Sequence, residues 1–336
     1  MNSVMDHPFP KSTTVMEKCK RLWEVVSPED YLAVFIDADP DAMASAMALK
    51  RMLWRKVWRT SIYHINPIQR EDNLAFIRLL KIDQKQLRKR KPKKITKWAL
   101  VDSQPHHHER FRDQKFDIII DHHQLGPLSE AAFVDIKENY GANSTIMVEY
   151  LRAAKIRPSP KLATALFYGI KTDTNNFVRE STPNDVNAFR YLYKYANMNI
   201  IKKIESSEIT VNTLSSYVKA MERLTFTKNI AFVHMEDVEN PDILVIIADF
   251  FMRLAEATWS IASGVYEEKL IIILRNAGFT GDAGKIAQDL FGSWGGSAGG
   301  HRSAARAEIP LKGIDKLAKG RSGLKKLILK QLEALR

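Results

Sequence analysis

The first half of the chain alternates short apolar runs with longer amphipathic segments. The apolar runs predict strands at Tyr31–Ile36 and at residues 60–65, 98–101 and 116–120. Continuous apolar runs of this length are typical of strands buried on both faces of a parallel sheet. Helices are predicted between or after them, at about residues 42–58, 71–80 and 142–154. Strands that alternate with helices predict an α/β domain with a mostly parallel sheet flanked by helices.

The second half has a different pattern and predicts a smaller C-terminal α/β domain. Strands are predicted at residues 230–234, Trp259–Tyr266 and 270–275, with helices at 206–224 and 241–254. Residues 278–300 are rich in glycine, and a basic helix is predicted at 313–335. We therefore predict one domain at 1–205, a linker helix at 206–225 and a second domain at 226–336.

Composition narrows the class of protein and of partner. The 336 residues carry a formal net charge of +12, which favours polyanionic partners such as nucleic acid or phosphorylated nucleotides. The single cysteine, Cys19, excludes an internal disulfide and suits a reducing compartment. No apolar run is long enough to span a bilayer, and the N-terminal residues do not resemble a signal sequence. We expect a soluble cytoplasmic protein without a membrane partner.

Residues 86–97 (QLRKRKPKKITK) form a dense basic run with a proline at position 92. Such a run could attract a phosphate backbone. Runs of charge are more often solvated loops, and proline disfavours a helix here. We interpret the run as a loop between a helix and a strand.

Carboxylates and histidines cluster where predicted strands end. The four places are Asp39 with Asp41, Asp102, Asp121-His122-His123, and Asp173. Ligands of open parallel sheets bind beyond the carboxyl ends of the strands. Carboxylate oxygens with a few imidazoles suit Mn²⁺ or Mg²⁺, and two such ions can clamp a phosphate and generate a hydroxide. A single aspartate is more often a helix cap or a turn residue, so the set is more informative than its members.

Residues 116–123 (FDIIIDHH) resemble the signature motif of the DHH-superfamily phosphoesterases. Five further segments resemble motifs of that family in the same order: 39–49 (DPDAMASAMAL), 100–104 (LVDSQ) with Arg110 downstream, 141–151 (GANSTIMVEYL), 169–177 (GIKTDTNNF) and 299–305 (GGHRSAA). The last of these is similar to the motif of the DHH-associated C-terminal domain. A lone Asp-His-His is common by chance, whereas six motifs in order are specific.

The resemblance implies roles for the metal-site residues. Asp102 would bridge two ions, Mn²⁺ or Mg²⁺, with Asp39 on one of them. The second ion would be bound by Asp41, His122 and Asp173. His123 would be the catalytic partner that orients a ligand or the attacking hydroxide.

The resemblance also implies how a substrate is bound. Gly299 and Gly300 would let backbone N–H groups approach a terminal phosphate, with His301 in direct contact. Arg275 is a candidate second phosphate contact. The active site would lie in a cleft between the two domains. The short C-terminal domain resembles the oligoribonuclease and phosphoadenosine-phosphatase branch, whose substrates are short RNA or DNA oligonucleotides, dinucleotides and 3′-phosphoadenosine 5′-phosphate. A homodimer is left open.

One position departs from the family pattern. The first motif normally has a histidine four positions before its first aspartate, and this chain has Phe35 there. Asp37 lies two residues further along and, on a strand, faces the same side. Three hypotheses follow: Asp37 completes the site as a substitute ligand, the enzyme works with one tight and one weak ion, or the chain is a catalytically inactive binder.

Other interpretations also remain at this point. His106, His107 and His108 are interpreted as a polar loop lining the cleft, since adjacent side chains rarely share one ion. A non-catalytic protein that binds nucleotides or RNA is one alternative function. A hydrolase of pyrophosphate or polyphosphate is the other.

Overall fold

The computed structural model describes residues 13–87, 94–127, 131–179, 181–207, 211–278, 281–318 and 320–333. The chain divides into two compact units, residues 1–208 and 209–336. Six residues of the basic run at 86–97, namely 88–93, lie outside the described ranges, so its interpretation as a loop stays a prediction. Among the described helices, none combines the length and the apolar character that a membrane span requires.

The first unit is a parallel sheet with helices. In its described residues the sheet has six strands in the order β3-β2-β1-β4-β5-β6, and every neighbouring pair is parallel. The strands are β1 Tyr31–Ile36, β2 Arg59–His64, β3 Gln84–Gln86, β4 Lys97–Val101, β5 Ile118–Asp121 and β6 Phe133–Ile136. The helices are α1 Val15–Glu24, α2 Pro40–Met52, α3 Glu71–Leu79, α4 Glu109–Arg112, α5 Asn143–Ala153, α6 Pro160–Asp173, α7 Pro183–Tyr193 and α8 Met198–Glu205.

Strand β1 is buried on both faces, as its continuous apolar run predicted. Leu32 and Val34 point into the main core of this unit, which includes residues of α2, α5 and α6. Ala33 and Phe35 point the other way, into a second apolar cluster. The sheet therefore separates two cores, and the side chain at each position of β1 is assigned to one of them by strand alternation.

Helix α2 begins where the sequence contains a cap and a proline. Asp39 is the N-cap residue, and Pro40 occupies the first turn, where its missing N–H costs nothing. The alanines of α2 are buried and let the helix pack closely on its neighbours. The helix ends at Met52, earlier than the predicted residue 58, and Arg55 adopts a positive φ of 64°.

The second unit has a mixed sheet, so the prediction of an α/β fold with a second α/β domain is confirmed. Its described strands number six, in the order β11-β12-β10-β9-β8-β7, with β8 and β9 parallel and the other pairs antiparallel. The strands are β7 Thr225–Thr227, β8 Ile230–Asp237, β9 Trp259–Tyr266, β10 Lys269–Asn276, β11 Ser297–Gly300 and β12 Ala304–Pro310. The helices are α9 Val211–Arg223, α10 Asp242–Phe251, α11 Ala283–Phe291, α12 Leu311–Ala318 and α13 Leu324–Leu332.

One expectation for this unit was wrong in detail. The glycine-rich segment, for which no element was predicted, contains helix α11, which begins at the N-cap Asp282. The single basic helix predicted at 313–335 is two helices, α12 and α13, separated by Gly320 with a φ of +92°. A positive φ ends a right-handed helix, and glycine adopts it without steric cost.

Candidate metal centre

The centre of the site is Asp102, the residue that follows β4. Strand alternation would place its side chain on the face of Leu100, in the second core. Asp102 instead has a positive φ of 60°, a conformation that L-residues rarely adopt, and alternation ends there. The residue is 7% exposed. Strained backbone of this kind persists where the surroundings require it, and it is frequent at functional sites.

His122 faces Asp102 across the ends of the neighbouring strands. Its Nδ1 lies 2.9 Å from the backbone oxygen of Tyr140, so Nδ1 carries a hydrogen and donates it. Its Nε2 therefore points to two carboxylates, 3.3 Å from Asp102 Oδ1 and 3.0 Å from Asp173 Oδ2. A backbone carbonyl that fixes the tautomer and leaves the other nitrogen free is the arrangement found in metal-binding histidines.

Three buried polar atoms at this point lack a hydrogen-bond partner of good geometry among the described residues: Asp102 Oδ1, His122 Nε2 and Asp173 Oδ2. Unpaired buried polar atoms cost free energy, so three of them facing one another call for a cation. Burial opposes the charge of His122, yet the two carboxylates raise its pKa well above the ordinary value. A proton on Nε2 partly neutralises the two carboxylates, and a divalent ion would neutralise them more fully.

Asp41 comes within reach of the same centre. Ligand atoms of Asp41, His122 and Asp173 all lie within 4.8 Å of one another. Burial and the carboxylates of Asp102 and Asp173 raise the pKa of Asp41 to about 8. Repulsion of this size among carboxylates is relieved when a cation lies between them.

The backbone of α5 holds Asp41 in place. Its Oδ2 accepts a hydrogen bond from Asn143 N at 2.6 Å, and its Oδ1 accepts one from Ser144 N at 2.8 Å. Each oxygen keeps a further lone pair for an ion. Gly169 of α6 packs against this pair: a Cβ there would lie 2.7 Å from Ser144 Oγ and 3.1 Å from Asp41 Cα. Only glycine allows α6 to approach so closely.

Asp39 has a second task besides the one that the family resemblance implies. Its Oδ1 accepts a hydrogen bond from Ala42 N at 2.8 Å, so it caps α2. Loss of solvent around the carboxyl and repulsion from Asp102, Asp173 and Asp41 raise the pKa of Asp39 well above its ordinary value. The other carboxylates therefore act electrostatically on Asp39. Among the described residues, however, Asp39 does not belong to any group of three ligand atoms that lie within 4.8 Å of one another.

Asp121 takes no part in this cluster of unpaired atoms. Its Oδ1 lies 2.8 Å from His123 Nδ1, and its Oδ2 accepts a hydrogen bond from Gln104 Nε2 at 2.7 Å. Burial opposes ionisation of Asp121, but the hydrogen bond from His123 holds its pKa below the usual range. Although burial disfavours charge on His123 too, the same hydrogen bond raises the pKa of His123 to about 9. Asp121 therefore orients a charged imidazole.

Gln104 is a functional residue that sequence reasoning did not single out, although it lies in the quoted segment LVDSQ. Besides Asp121 it bonds Gln124 O at 2.9 Å, and its Oε1 accepts from Gly126 N at 2.9 Å. One buried amide thus fixes both the carboxylate and the loop that follows His123. Its side chain supplies donors and an acceptor together, which no apolar residue could replace.

Asp173 lies at the end of a helix. The expectation that it follows a strand was wrong: it is the last residue of α6. Burial opposes its charge, yet the contact with His122 lowers the pKa of Asp173 below its ordinary value. Residues Asn175, Asn176 and Phe177 then follow with positive φ values of 46°, 58° and 64°, which turn the chain away.

The first turn of α5 carries further polar atoms at the site. Asn143 and Ser144 are fully buried, and Asn143 Oδ1, Asn143 Nδ2 and Ser144 Oγ have no hydrogen-bond partner among the described residues. Their backbone N–H groups bind Asp41, so these side chains lie beside the centre. The motif GANS contained them, but only their burial without partners marks them as site residues.

The three consecutive histidines, His106 to His108, each make different contacts. His108 Nδ1 accepts from Arg110 N and caps α4, and His106 packs against Gly126, where a Cβ would lie 1.9 Å from its ring. His107 Nδ1 accepts from Gln104 N at 3.1 Å. Ligand atoms of His107, Asp121 and His123 do lie within 4.8 Å of one another. Since Asp121 and His107 already bond Gln104, we do not assign a metal to this group.

Phe35 belongs to the second core. Its ring stacks on Trp98 at 5.2 Å and on Tyr63 at 5.9 Å, and it meets Phe116 edge-on at 6.1 Å. The Asp37 residue as a whole is exposed. Loss of solvent around its carboxyl still raises the pKa of Asp37, while His108 and His64 act to lower it.

The donors that converge here fit a divalent cation. They are carboxylate oxygens and one imidazole nitrogen, a set that suits Mn²⁺ or Mg²⁺. Asp102 Oδ1, His122 Nε2 and Asp173 Oδ2 are buried without partners, and Asp41 lies within the same 4.8 Å group. The described atoms therefore provide at least one site with the charge and the unpaired ligands that an ion needs.

The predicted phosphate-binding residues of the second unit lie on β10 (Arg275), at the end of β11 (Gly299 and Gly300) and directly after it (His301). Gly300 has a φ of +148°, and a Cβ there would lie 2.4 Å from Ala304 O, so glycine is required. His301 is exposed, and its backbone N–H bonds Ala304 O at 2.8 Å. Gly299 has open space at the position of a Cβ.

Arg275 is engaged within its own unit. Its Nε donates to Asp249 Oδ1 at 2.6 Å, and a terminal nitrogen donates to Leu274 O at 3.2 Å. A guanidinium has five N–H donors, so some of its bonding capacity is left.

Comparison with known proteins shows which family the first unit resembles. Residues 32–170 match the family model described as "DHH family, N-terminal domain". The uncharacterized protein MJ1633 of Methanocaldococcus jannaschii is 34% identical over 300 residues, which cover 89% of this chain and 61% of that protein. The A-adding tRNA nucleotidyltransferase of Aquifex aeolicus is 28% identical over 200 residues, covering 57% of this chain and 23% of the enzyme. The chain thus spans less than two thirds of these relatives.

Solved structures show the same fold at low identity. An exopolyphosphatase-related protein from Bacteroides fragilis has a TM-score of 0.73 and 15% identity, covering 97% of this chain and 98% of that one. The exonuclease RecJ bound to manganese has a TM-score of 0.51 and 11% identity, covering 93% and 94%. These likenesses concern the fold, whereas the sequence match at residues 32–170 contains Asp102 and His122 but ends before Asp173. Residues 32–170 of the first unit are therefore similar to the N-terminal domain of the DHH family.

Proposed function

We propose that this protein is a metal-dependent phosphoesterase that uses Mn²⁺ or Mg²⁺ to hydrolyse short oligonucleotides, dinucleotides or 3′-phosphoadenosine 5′-phosphate. The observation that carries the proposal is the convergence of Asp102 Oδ1, His122 Nε2 and Asp173 Oδ2. These atoms are buried, and Nε2 lies 3.3 and 3.0 Å from the two oxygens without a hydrogen bond of good geometry. The manganese of the RecJ structure, on a similar fold, supports the choice of ion.

Two ions would share the carboxylates. Asp41, Asp102, His122 and Asp173 would hold the first, and Asp39 with Asp102 would hold the second. When bound, such ions polarise a phosphoryl oxygen and supply a hydroxide at neutral pH. The residues of the chain hold these ligands in place through the α5 backbone at Asp41 and through Tyr140 O at His122.

His123 would serve the reacting phosphate. Its Nδ1 is held by Asp121 at 2.8 Å, which fixes the orientation of the ring. A ring nitrogen of His123 lies within 4.8 Å of the ligand atoms of Asp102 and His122. A charged imidazole there stabilises negative charge on a phosphoryl oxygen or gives a proton to the leaving oxygen.

In the second unit, the segment from Gly299 to His301 would bind a phosphate of the substrate. The exposed imidazole of His301 is the direct contact, and the glycines permit close approach of backbone. Arg275 would add a charge-assisted contact through N–H groups that Asp249 does not use.

For the position occupied by Phe35, we propose one tight ion and one weak ion. Phe35 packs in the aromatic cluster with Trp98. Among the described residues, Asp37 does not belong to any group of three ligand atoms that lie within 4.8 Å of one another. Titration calorimetry with Mn²⁺ on wild type and Asp37→Ala tests this. Unchanged affinities at both sites support the proposal, whereas loss of the weaker site in the variant would make Asp37 a substitute ligand of the ion at Asp39.

The activity test uses Mn²⁺ and labelled di- to pentanucleotides, 3′-phosphoadenosine 5′-phosphate, pyrophosphate and polyphosphate. Release of mononucleotide or phosphate that EDTA and His122→Ala both abolish supports the proposal. Hydrolysis of pyrophosphate or polyphosphate alone would reassign the substrate. Binding of oligonucleotides without product under any metal would identify a non-catalytic binder.

A further inference from the structure

A second site lies in the first unit, at the ends of α2 and α6 that are remote from the metal centre. It is a surface pocket of about 460 Å³ formed by the last turn of α2, the loop after α3 and the first turn of α6. Its floor is apolar and includes Ile62, Ile82 and Leu162, all buried. A volume of this order suits a small organic ligand.

The rim of the pocket is strongly basic. Lys50, Arg51, Lys81 and Lys161 line it together with one acid, Asp83. Lys50 lies 3.5 Å from Asp83, and Lys161 donates to Lys81 O at 2.7 Å. Burial and the charges of Lys50 and Lys81 lower the pKa of Lys161. Cations kept this close repel one another, and an anion between them would relieve the repulsion.

An aromatic ring stands beside these cations. Trp54 lines the pocket and is 59% exposed, an unusual position for so large an apolar side chain. The guanidinium groups of Arg51 and Arg55 lie 4.9 and 4.5 Å from the centre of its ring. A planar base that stacks on Trp54 would exchange places with one guanidinium, which then pairs with phosphate.

The first turn of α6 adds a favourable field. This helix of 14 residues starts at the N-cap Ser159, whose Oγ accepts from Leu162 N. Ser159 and Lys161 both line the pocket. The N-terminal end of a helix carries partial positive charge, which adds to the charge of the lysines and favours a phosphate.

The pocket is distinct from the metal centre. Asp41 lies in the first turn of α2, whereas Lys50 lies nine residues later in its last turns. At about 1.5 Å per residue the two are roughly 14 Å apart along the helix. On α6 the order is reversed, with Lys161 at the start and Asp173 at the end. One antiparallel helix pair thus carries the metal ligands at one end and the basic pocket at the other.

We propose that this pocket is a second nucleotide-binding site, in which the base stacks on Trp54 and the phosphate lies among Lys50, Lys81 and Lys161. The ligand is either a free nucleotide or one nucleotide of a single-stranded nucleic acid, since both present a base and a phosphate. Bare phosphate lacks the ring that Trp54 selects, and a neutral aromatic lacks the charge that the lysines select.

Binding is measured on the whole chain in EDTA, with adenosine 5′-monophosphate, inorganic phosphate and a fluorescein-labelled pentaadenylate as probes. We expect Trp54→Ala to weaken nucleotide binding by about tenfold or more, the effect of losing one stacked base. Lys81→Gln with Lys161→Gln should weaken it similarly and reduce its dependence on salt. Trp58→Ala is the matched control, because Trp58 is 64% exposed and does not line the pocket.

The outcomes separate the possibilities. Adenosine monophosphate and pentaadenylate that bind equally well identify a free nucleotide as ligand, and binding of pentaadenylate alone identifies single-stranded nucleic acid. Equal binding of phosphate and nucleotide that ignores Trp54→Ala would overturn the proposal, as would equal losses in Trp54→Ala and Trp58→Ala or no binding at all. Mn²⁺-dependent turnover of a dinucleotide should be unchanged in Trp54→Ala, so failure of catalysis and failure of this site are distinguishable.

Discussion

Two aspartates at the ends of adjacent strands differ in what surrounds them. Asp102 after β4 and Asp121 at the end of β5 are both buried, at 7% and 0% exposure. Asp121 has both oxygens hydrogen-bonded, and its pKa is lowered by His123 against the effect of burial. Asp102 has an unpaired oxygen, and burial raises its pKa despite the attraction of His122. Partners, and not residue type, separate a carboxylate that orients a neighbouring side chain from one that is available to an ion.

The same comparison divides the Asp-His-His signature. His122 points its free nitrogen at the ligand cluster, whereas His123 is tied to Asp121. The signature is therefore two devices side by side. Under the proposed function, His122 would bind an ion, and Asp121 would hold the imidazole of His123 for the substrate.

The largest expected effect on ion binding and turnover comes from replacing Asp102 or His122. Asp102→Ala and His122→Ala should abolish tight Mn²⁺ binding and lower turnover at least about a thousandfold, because the ion is the main catalytic device. Calorimetry and product release measure the two effects. Tight binding retained in both variants would place the ion elsewhere. Lys20→Ala, an exposed substitution on α1, is the control.

Asp121→Asn should separate the effect on ion binding from the effect on His123. We expect turnover to fall about a hundredfold while the Mn²⁺ affinity changes by less than about tenfold, because the amide no longer holds His123 in its charged, oriented form. The pH profile of kcat should shift to lower pH as the pKa of His123 falls. A parallel loss of ion and activity would instead make Asp121 a ligand.

Phe35→His tests whether the family histidine can be restored. The smaller polar ring would lie among Trp98, Tyr63 and Phe116, and we expect a loss of about 2 kcal/mol in the free energy of unfolding. The Mn²⁺ affinity should not change. Urea denaturation and calorimetry measure these, with Phe35→Leu as the apolar control. A tighter ion in Phe35→His would show that the position still faces the centre.

The smallest effect is on the pH dependence of stability without metal. The hydrogen bond to Asp121 outweighs burial and raises the pKa of His123 to about 9, so its contribution is complete below about pH 6.5 and is lost as pH rises. Burial and neighbouring carboxylates raise the pKa of Asp41 to about 8, so the folded protein also loses stability as the pH rises towards that value. In EDTA we expect Tm to fall by a few degrees, roughly 2–4 °C, between pH 6.5 and 9.

Scanning calorimetry at several pH values checks this expectation. Mn²⁺ should flatten the slope, since the ion replaces protons as the cation of the cluster. His123→Gln should remove part of the slope in EDTA. A Tm that rises with pH in EDTA would contradict the assigned directions.

Local sequence was sufficient for the elements that lead to the site. The apolar run of β1 and the Asp39-Pro40 start of α2 are local signals, because strand burial and helix capping depend on neighbours in the chain. The end of α2 and the break between α12 and α13 were not predicted. Helix ends depend on φ values, such as those of Arg55 and Gly320, that the pattern of apolar residues does not encode.

By itself the sequence determined the α/β fold, the family motifs and the set of residue types that an ion requires. Only the tertiary structure decided which of these side chains are left without partners. Asp173 reaches His122 from the end of a helix and not from a strand, and Gln104 takes the free oxygen of Asp121. The physical reason is that burial and hydrogen bonds determine whether a carboxylate is paired or available to an ion. Both are set by segments that are distant in the chain.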